Sequence, residues 1–231
     1  MPTIHLISVI LMLWFENTSI LPSSTSWETR TEIPAKKEVS LYDRLKANYW
    51  QVPNSTILDL AMEGYQKLHQ KLENPNLVII DFSLPSTAKR LWVIDPKNGK
   101  VLFHSVVSHG RNSGQLMATQ FSNRPESYQS SLGFFKTAET YQGKHGYSLR
   151  LDGLEKGVND QARNRAIVIH GADYATEEFA EATGRLGRSL GCPALPSALS
   201  ATAIDLMKDG ALLFIYGNDP DYLSNPPLLQ P

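Results

Sequence analysis

The chain reads as mainly β, with a short helical extension ahead of the β-rich part. Three observations predict this. From Leu77 to Tyr216 the apolar residues cluster in short strand-length runs, without the regular strand–helix alternation of a doubly wound parallel sheet. Leu91–Asp95, the turn Pro96–Gly99 and the returning run Lys100–Ser108 have the pattern of a hairpin. The 231 residues include 15 glycines and 14 prolines, which favours many turns over a helix bundle. There is no internal repeat.

Taken in order, Ile4–Phe15 is an apolar run of signal-peptide length, followed at once by polar and small residues. Residues 1–26 are therefore expected to be an export signal or short anchor, with a buried N-terminal element as the alternative. Residues 27–76 form a linker and a helical extension. Ser40 and Asp43 have the spacing of a capping motif and open a short helix with Leu41 and Leu45 on one face. Ile57, Ala61, Tyr65, Leu68 and Leu72 recur at helical spacing and predict a second helix. Residues 77–217 form the main domain. Strands are predicted at 77–82, 91–95, 100–108, 133–135, 147–151, 165–169 and 211–216. Short helices are expected at 176–182 and from Ser197, read as its cap, to Gly210. A long Ser/Gly/Asn-rich loop fills 109–133, and loops of that length are more often functional than accidental. Residues 218–231 are an irregular tail.

Composition narrows the function classes. Apolar residues make up 42% and charged residues 19%, which excludes a disordered tail protein and a polytopic membrane protein. Lys and Arg number 22 against 23 Asp and Glu, so the net charge of −1 offers no broad electrostatic footprint for nucleic acid. One cysteine, Cys192, rules out an intrachain disulfide.

That cysteine is the conspicuous nucleophile. It ends the run Gly184-Arg-Leu-Gly-Arg-Ser-Leu-Gly-Cys192. The glycines would leave amide N–H groups accessible for an oxyanion, those of Gly191 and Cys192 above all. Arg185 and Arg188 are placed to favour the thiolate. A cysteine nucleophile needs a base. His170, expected at the carboxyl end of a buried strand and followed by Gly171, is the best placed. His109 opens the long loop and His145 sits in a Gly-rich turn, so both could line a cleft. With His170 and Cys192 they could also make a four-ligand zinc site, although no close ligand pair supports it. No phosphate-binding or dinucleotide-binding glycine motif occurs.

His170-Gly171 followed by Ser189-Leu-Gly-Cys192 resembles the signature of the L,D-transpeptidase catalytic domain, the YkuD-like family of cell-wall enzymes. Val106–Gly110 and Ser131–Phe135 are similar to its upstream motifs. The block from Asp81 to Pro196 looks like a divergent murein L,D-transpeptidase branch, in which Ser-His-Gly-Arg-Asn-Ser-Gly, Lys-His-Gly-x-Ser-Leu and Gly-Arg-Ser-x-Gly-Cys-Pro-Ala recur. The chain departs from the common family after the nucleophile, where Pro193-Ala194 replaces a hydrophobic residue and an arginine.

The resemblance implies a β-sandwich of mixed sheets with a few helices. It implies a periplasmic or other extracytoplasmic enzyme of cell-wall biogenesis, needing no cofactor and no metal. Its partners would be murein stem peptides, and carbapenems would be covalent inhibitors. Cys192 would attack the carbonyl that precedes D-Ala in a stem tetrapeptide, with His170 as base and its second ring nitrogen held by a backbone carbonyl such as that of Gly171. Ser189 would orient the histidine or the peptide. Arg188, Arg185, His109, Asn112, His145 and Ser131 are the expected substrate-binding residues. The same residues would serve an L,D-carboxypeptidase with water as acceptor, and a non-catalytic cell-wall-binding module is a further alternative.

Overall fold

The computed structural model describes residues 39–230, and the expectations for residues 1–38 lie outside the described residues. Eight strands form one mixed sheet. They are β1 (Leu77–Asp81), β2 (Leu91–Asp95), β3 (Lys100–Ser105), β4 (Gly133–Gly143), β5 (Gly146–Gly153), β6 (Val168–Ala172), β7 (Ala194–Pro196) and β8 (Leu212–Tyr216). Their order is β3-β2-β1-β8-β4-β5-β6-β7. The β1–β8 and β6–β7 pairs are parallel and the others antiparallel. The mainly-β mixed architecture expected from the sequence is what the chain adopts.

Five helices accompany the sheet: α1 (Leu41–Asn48), α2 (Ser55–Leu68), α3 (Glu177–Thr183), α4 (Ser197–Met207) and α5 (Pro220–Ser224). No described helix is long and apolar enough to cross a membrane. The Ser40 hydroxyl accepts the Asp43 N–H at 3.1 Å and so caps α1, as the spacing required. Helix α2 is capped by Asn54 and lies over β1 and β8. Every residue of β1 is buried, which its unbroken apolar run demands of a strand covered on both faces. Gly64 of α2 meets the Phe134 ring so closely that a Cβ there would overlap it. Phe134 in turn stacks on Phe214, with ring centroids 4.4 Å apart. The helical extension thus shares its core with the sheet.

Several boundaries differ from the sequence reading: β3 ends at Ser105 and not Ser108, β7 is not among the expected strands, and four differences shape the site and tail. Strand β4 continues well past Phe135 to Gly143, because it pairs with β5 in a long hairpin whose turn is Lys144-His145. Strand β6 starts at Val168 and not at Arg165, since Ala166 takes a left-handed φ of 52° that interrupts extended backbone. His170 therefore lies mid-strand and not at a strand end. Helix α4 is preceded by Pro196 without a side-chain cap; the Ser197 hydroxyl donates instead to Asp173 at 2.6 Å. The tail contains α5 and a 3-10 turn at Pro227–Leu229. It is tied down by buried Glu155, which accepts from Tyr222 Oη at 3.1 Å and the Leu228 N–H at 3.0 Å.

Candidate active site

The β6–β7 pair places Cys192 beside the strand that carries His170. His170 is in register with Ala194, two residues after Cys192. The other neighbour of His170 is Ser148 of β5. Val168 and His170 share one face of β6, because successive strand side chains alternate. The Cys192 sulfur lies against that strand. The Val168 N–H points to Sγ at 3.5 Å, and the Ala166 carbonyl is 3.7 Å from it. No hydrogen bond joins Sγ to the imidazole in this structure. Catalytic contacts often tighten only when substrate binds.

His170 is buried, and its Nδ1 is 2.8 Å from the Gly171 carbonyl. A carbonyl can only accept, so Nδ1 carries the hydrogen and Nε2 presents its lone pair. Burial lowers the His170 pKa, the Gly171 carbonyl opposes this, and His145 lowers it further. His145 stands exposed on the β4–β5 turn and stacks on His170, with centroids 4.4 Å apart. Burial raises the Cys192 pKa, while the Val168 N–H and Arg165 pull it down. The resting pair is a neutral thiol and a neutral imidazole.

Ser189 shapes the cysteine turn. Its hydroxyl donates to the Cys192 carbonyl at 2.6 Å and accepts the Gly191 N–H at 3.0 Å. This corrects one expectation. The Gly191 N–H is occupied by Ser189 and cannot also face an oxyanion, whereas the Cys192 N–H has no hydrogen-bond partner among the described residues. Gly191 has a φ of 126°, and a Cβ there would press on the Gln129 carbonyl, so glycine is required.

The expected substrate-binding residues are dispersed. His145 is at the site. Ser131 lies one shell away, donating to the Ser122 carbonyl at 2.8 Å and accepting from Arg165 at 2.6 Å. Asn112 closes the 109–133 loop on itself through the Ser127 carbonyl. His109 does not line a cleft. It is buried, its Nδ1 accepts from Arg90 at 2.9 Å, and its Nε2 faces the Gly114 carbonyl. The apolar environment and the Arg90 charge hold its pKa down at about 4. Arg188 donates to the Arg111 and Gly114 carbonyls, and Arg185 to that of Leu186. Both act on His109 and not on the sulfur. The zinc set is not assembled, because His109 is packed against a guanidinium; no group of three His, Cys, Asp or Glu side chains converges among the described residues.

Two neighbours of the sulfur escaped the sequence reading, Arg165 and Tyr174. Tyr174 packs under Gly187, and burial together with Cys192 raises its pKa to about 12. The reading looked for a cation along the cysteine loop. Arg165 stands instead at the foot of the apolar run that ends in His170, and that position was the available signal. A cavity of about 740 Å³ between the α1–α2 linker and β2 lies at Trp50, Trp92 and Lys89 and includes neither Cys192 nor His170.

The fold and site thus define a mixed-sheet domain with a carbonyl-oriented histidine on one strand and a cysteine in the turn that leads into the next. Residues 51–216 match the L,D-transpeptidase catalytic domain, and the chain belongs to that family. Among solved structures, it is similar to an L,D-transpeptidase from Mycobacterium smegmatis at 15% identity, covering 62% of this chain and 59% of that one, with a TM-score of 0.38. It is also similar to an L,D-transpeptidase from Stackebrandtia nassauensis at 18% identity, covering 72% and 69%, with a TM-score of 0.38. A third, from Xylanimonas cellulosilytica, is 16% identical and covers 62% and 61%, with a TM-score of 0.38. The chain therefore spans about three-fifths of the first of these relatives. No curated protein matches it.

Proposed function

We propose that the protein is a murein L,D-transpeptidase that works through a thioester on Cys192. The observation that carries this reading is the fixed tautomer of His170, on the strand whose Val168 N–H meets the cysteine sulfur, within a chain of this family. His170 Nε2 takes the thiol proton as sulfur attacks the carbonyl carbon before D-Ala. The tetrahedral oxyanion forms near the Cys192 N–H. As it collapses the C–N bond breaks, and the imidazolium returns the proton to the departing D-Ala amine. The thioester keeps the carbonyl reactive without ATP. An amine of a second stem then attacks, loses its proton to His170, and expels the thiolate, which is reprotonated. Water in place of the amine gives the carboxypeptidase outcome. Such a substrate places the enzyme outside the cytoplasm.

Intact-mass spectrometry after exposure to a carbapenem or a stem tetrapeptide tests this. The parent is expected to gain an acyl adduct that Cys192→Ser does not. His170→Ala should keep the fold and slow adduct formation by a factor on the order of 10²–10⁴. An adduct on another residue, or none, removes the mechanism. Product analysis with and without an added amine separates transfer from hydrolysis.

A further inference from the structure

Outside the cysteine and histidine, Arg165 is a half-buried side chain whose hydrogen bonds leave its charge unpaired. Its Nη1 donates to the Ser122 carbonyl at 2.7 Å and to Ser131 Oγ at 2.6 Å. Its Nη2 donates to the Gln129 carbonyl at 2.7 Å and to Ser127 Oγ at 3.2 Å. All four acceptors are neutral. No carboxylate pairs with Arg165 among the described residues, unlike Arg163 nearby, which is held by Glu139 and Asp152. Half-buried, the guanidinium is therefore fixed in place with its positive charge unanswered.

That charge lies beside the turn that carries Cys192. A Cβ built on Gly191 would lie 3.4 Å from Arg165 Nη2, and the Ala166 carbonyl next in the chain touches Sγ. Arg165 thus ties the 122–131 loop to the turn that carries Cys192. With its terminal N–H groups spent, it is poorly suited to grip a substrate carboxylate. It acts through its field, which is strong where water is scarce.

We propose that Arg165 is the positioning residue that steadies negative charge on Cys192 as the thiol loses its proton. The role in acyl transfer rests on the function proposed above; the effect on the thiol does not. The other titratable groups around the site are His170 on β6, backed by His145 from the β4–β5 turn, and Tyr174 from the 3-10 turn after β6. None of them is a fixed cation.

The test is the pH dependence of Cys192 alkylation by iodoacetamide, followed by intact mass. Cys192 is the only thiol, so the signal is unambiguous. Arg165→Gln should move the alkylation midpoint up by about one pH unit. Arg165→Lys, which keeps the charge and loses the fork, should restore most of it. Ser127→Asp leaves Arg165 in place and answers its charge, so it too should raise the midpoint even if Arg165→Gln fails to fold. Unchanged midpoints in native-like Arg165→Gln or in Ser127→Asp would overturn the proposal. So would a Lys variant shifted as far as the Gln variant, which would mark the hydrogen bonds as the cause. Alkylation needs no cell-wall substrate. A chain that forms no carbapenem adduct can still pass this test, and one that forms it can still fail.

Discussion

At the scale of single residues the chemistry depends on which proton sits where. His170 must be neutral to accept the thiol proton. Burial holds its pKa below the ordinary 6.5, so it stays neutral further into acid than a solvated histidine. The rate of Cys192 acylation is therefore expected to hold down to pH 6.5 and to fall only below it. An acid limb centred at or above pH 6.5 would argue against His170 as the base. Burial likewise raises the thiol pKa, and the Val168 N–H, Arg165 and the Cys192 N–H oppose it. Arg185 and Arg188 stand near Cys192 in sequence. Their guanidinium groups are spent on carbonyls of the 109–114 and 186 segments, so sequence proximity misjudged them.

At the scale of elements, the site depends on the fit of helix to sheet. Gly64 lets α2 approach β4 and β8 over the Phe134 ring. That ring is fully buried and stacked on Phe214, so it has nowhere to move. Gly64→Ala would gain about 1 kcal/mol of helix propensity in an isolated helix. Here the overlap is expected to outweigh it, with a net loss of roughly 1–3 kcal/mol from overpacking. Urea unfolding measures this directly, and an unchanged midpoint would mean that α2 can lift away from the sheet. The β4–β5 hairpin brings His145 onto His170, and the β6–β7 pair brings Cys192 onto the same strand. Register sets these neighbours: His170 pairs with Ser148 on one side and Ala194 on the other.

At the scale of the whole molecule, buried histidines link stability to pH. His109 has a folded pKa of about 4, against 6.5 when exposed, because burial and then Arg90 disfavour its charged form. The unfolded chain therefore binds its proton first as pH falls. The stability that neutral His109 provides is complete above pH 6.5 and is lost progressively down to pH 4, by about 3 kcal/mol. His104 and His170 act in the same direction. Asp81 and Glu155, whose pKa values burial raises, act in the opposite one. His109→Gln isolates the histidine, since glutamine can accept from Arg90 and still face Gly114. Urea titrations at pH 7 and pH 4 should show the parent losing about 3 kcal/mol more than the variant. Equal losses would mean that His109 is already charged in the folded state.

The sequence by itself determined the mainly-β class, the β2–β3 hairpin, the two leading helices and the residues most able to act as nucleophile and base. Those features are written in local signals: apolar period, turn residues, capping spacing and a lone cysteine in a glycine-rich run. Tertiary structure alone decided that His109 is a buried partner of Arg90, that Ser189 consumes the Gly191 N–H, and that Arg165 stands beside the cysteine turn. These outcomes depend on segments far apart in the chain, on register and on competition for hydrogen-bond partners. Local pattern can name a donor or a charge, but only packing determines which acceptor or sulfur it meets.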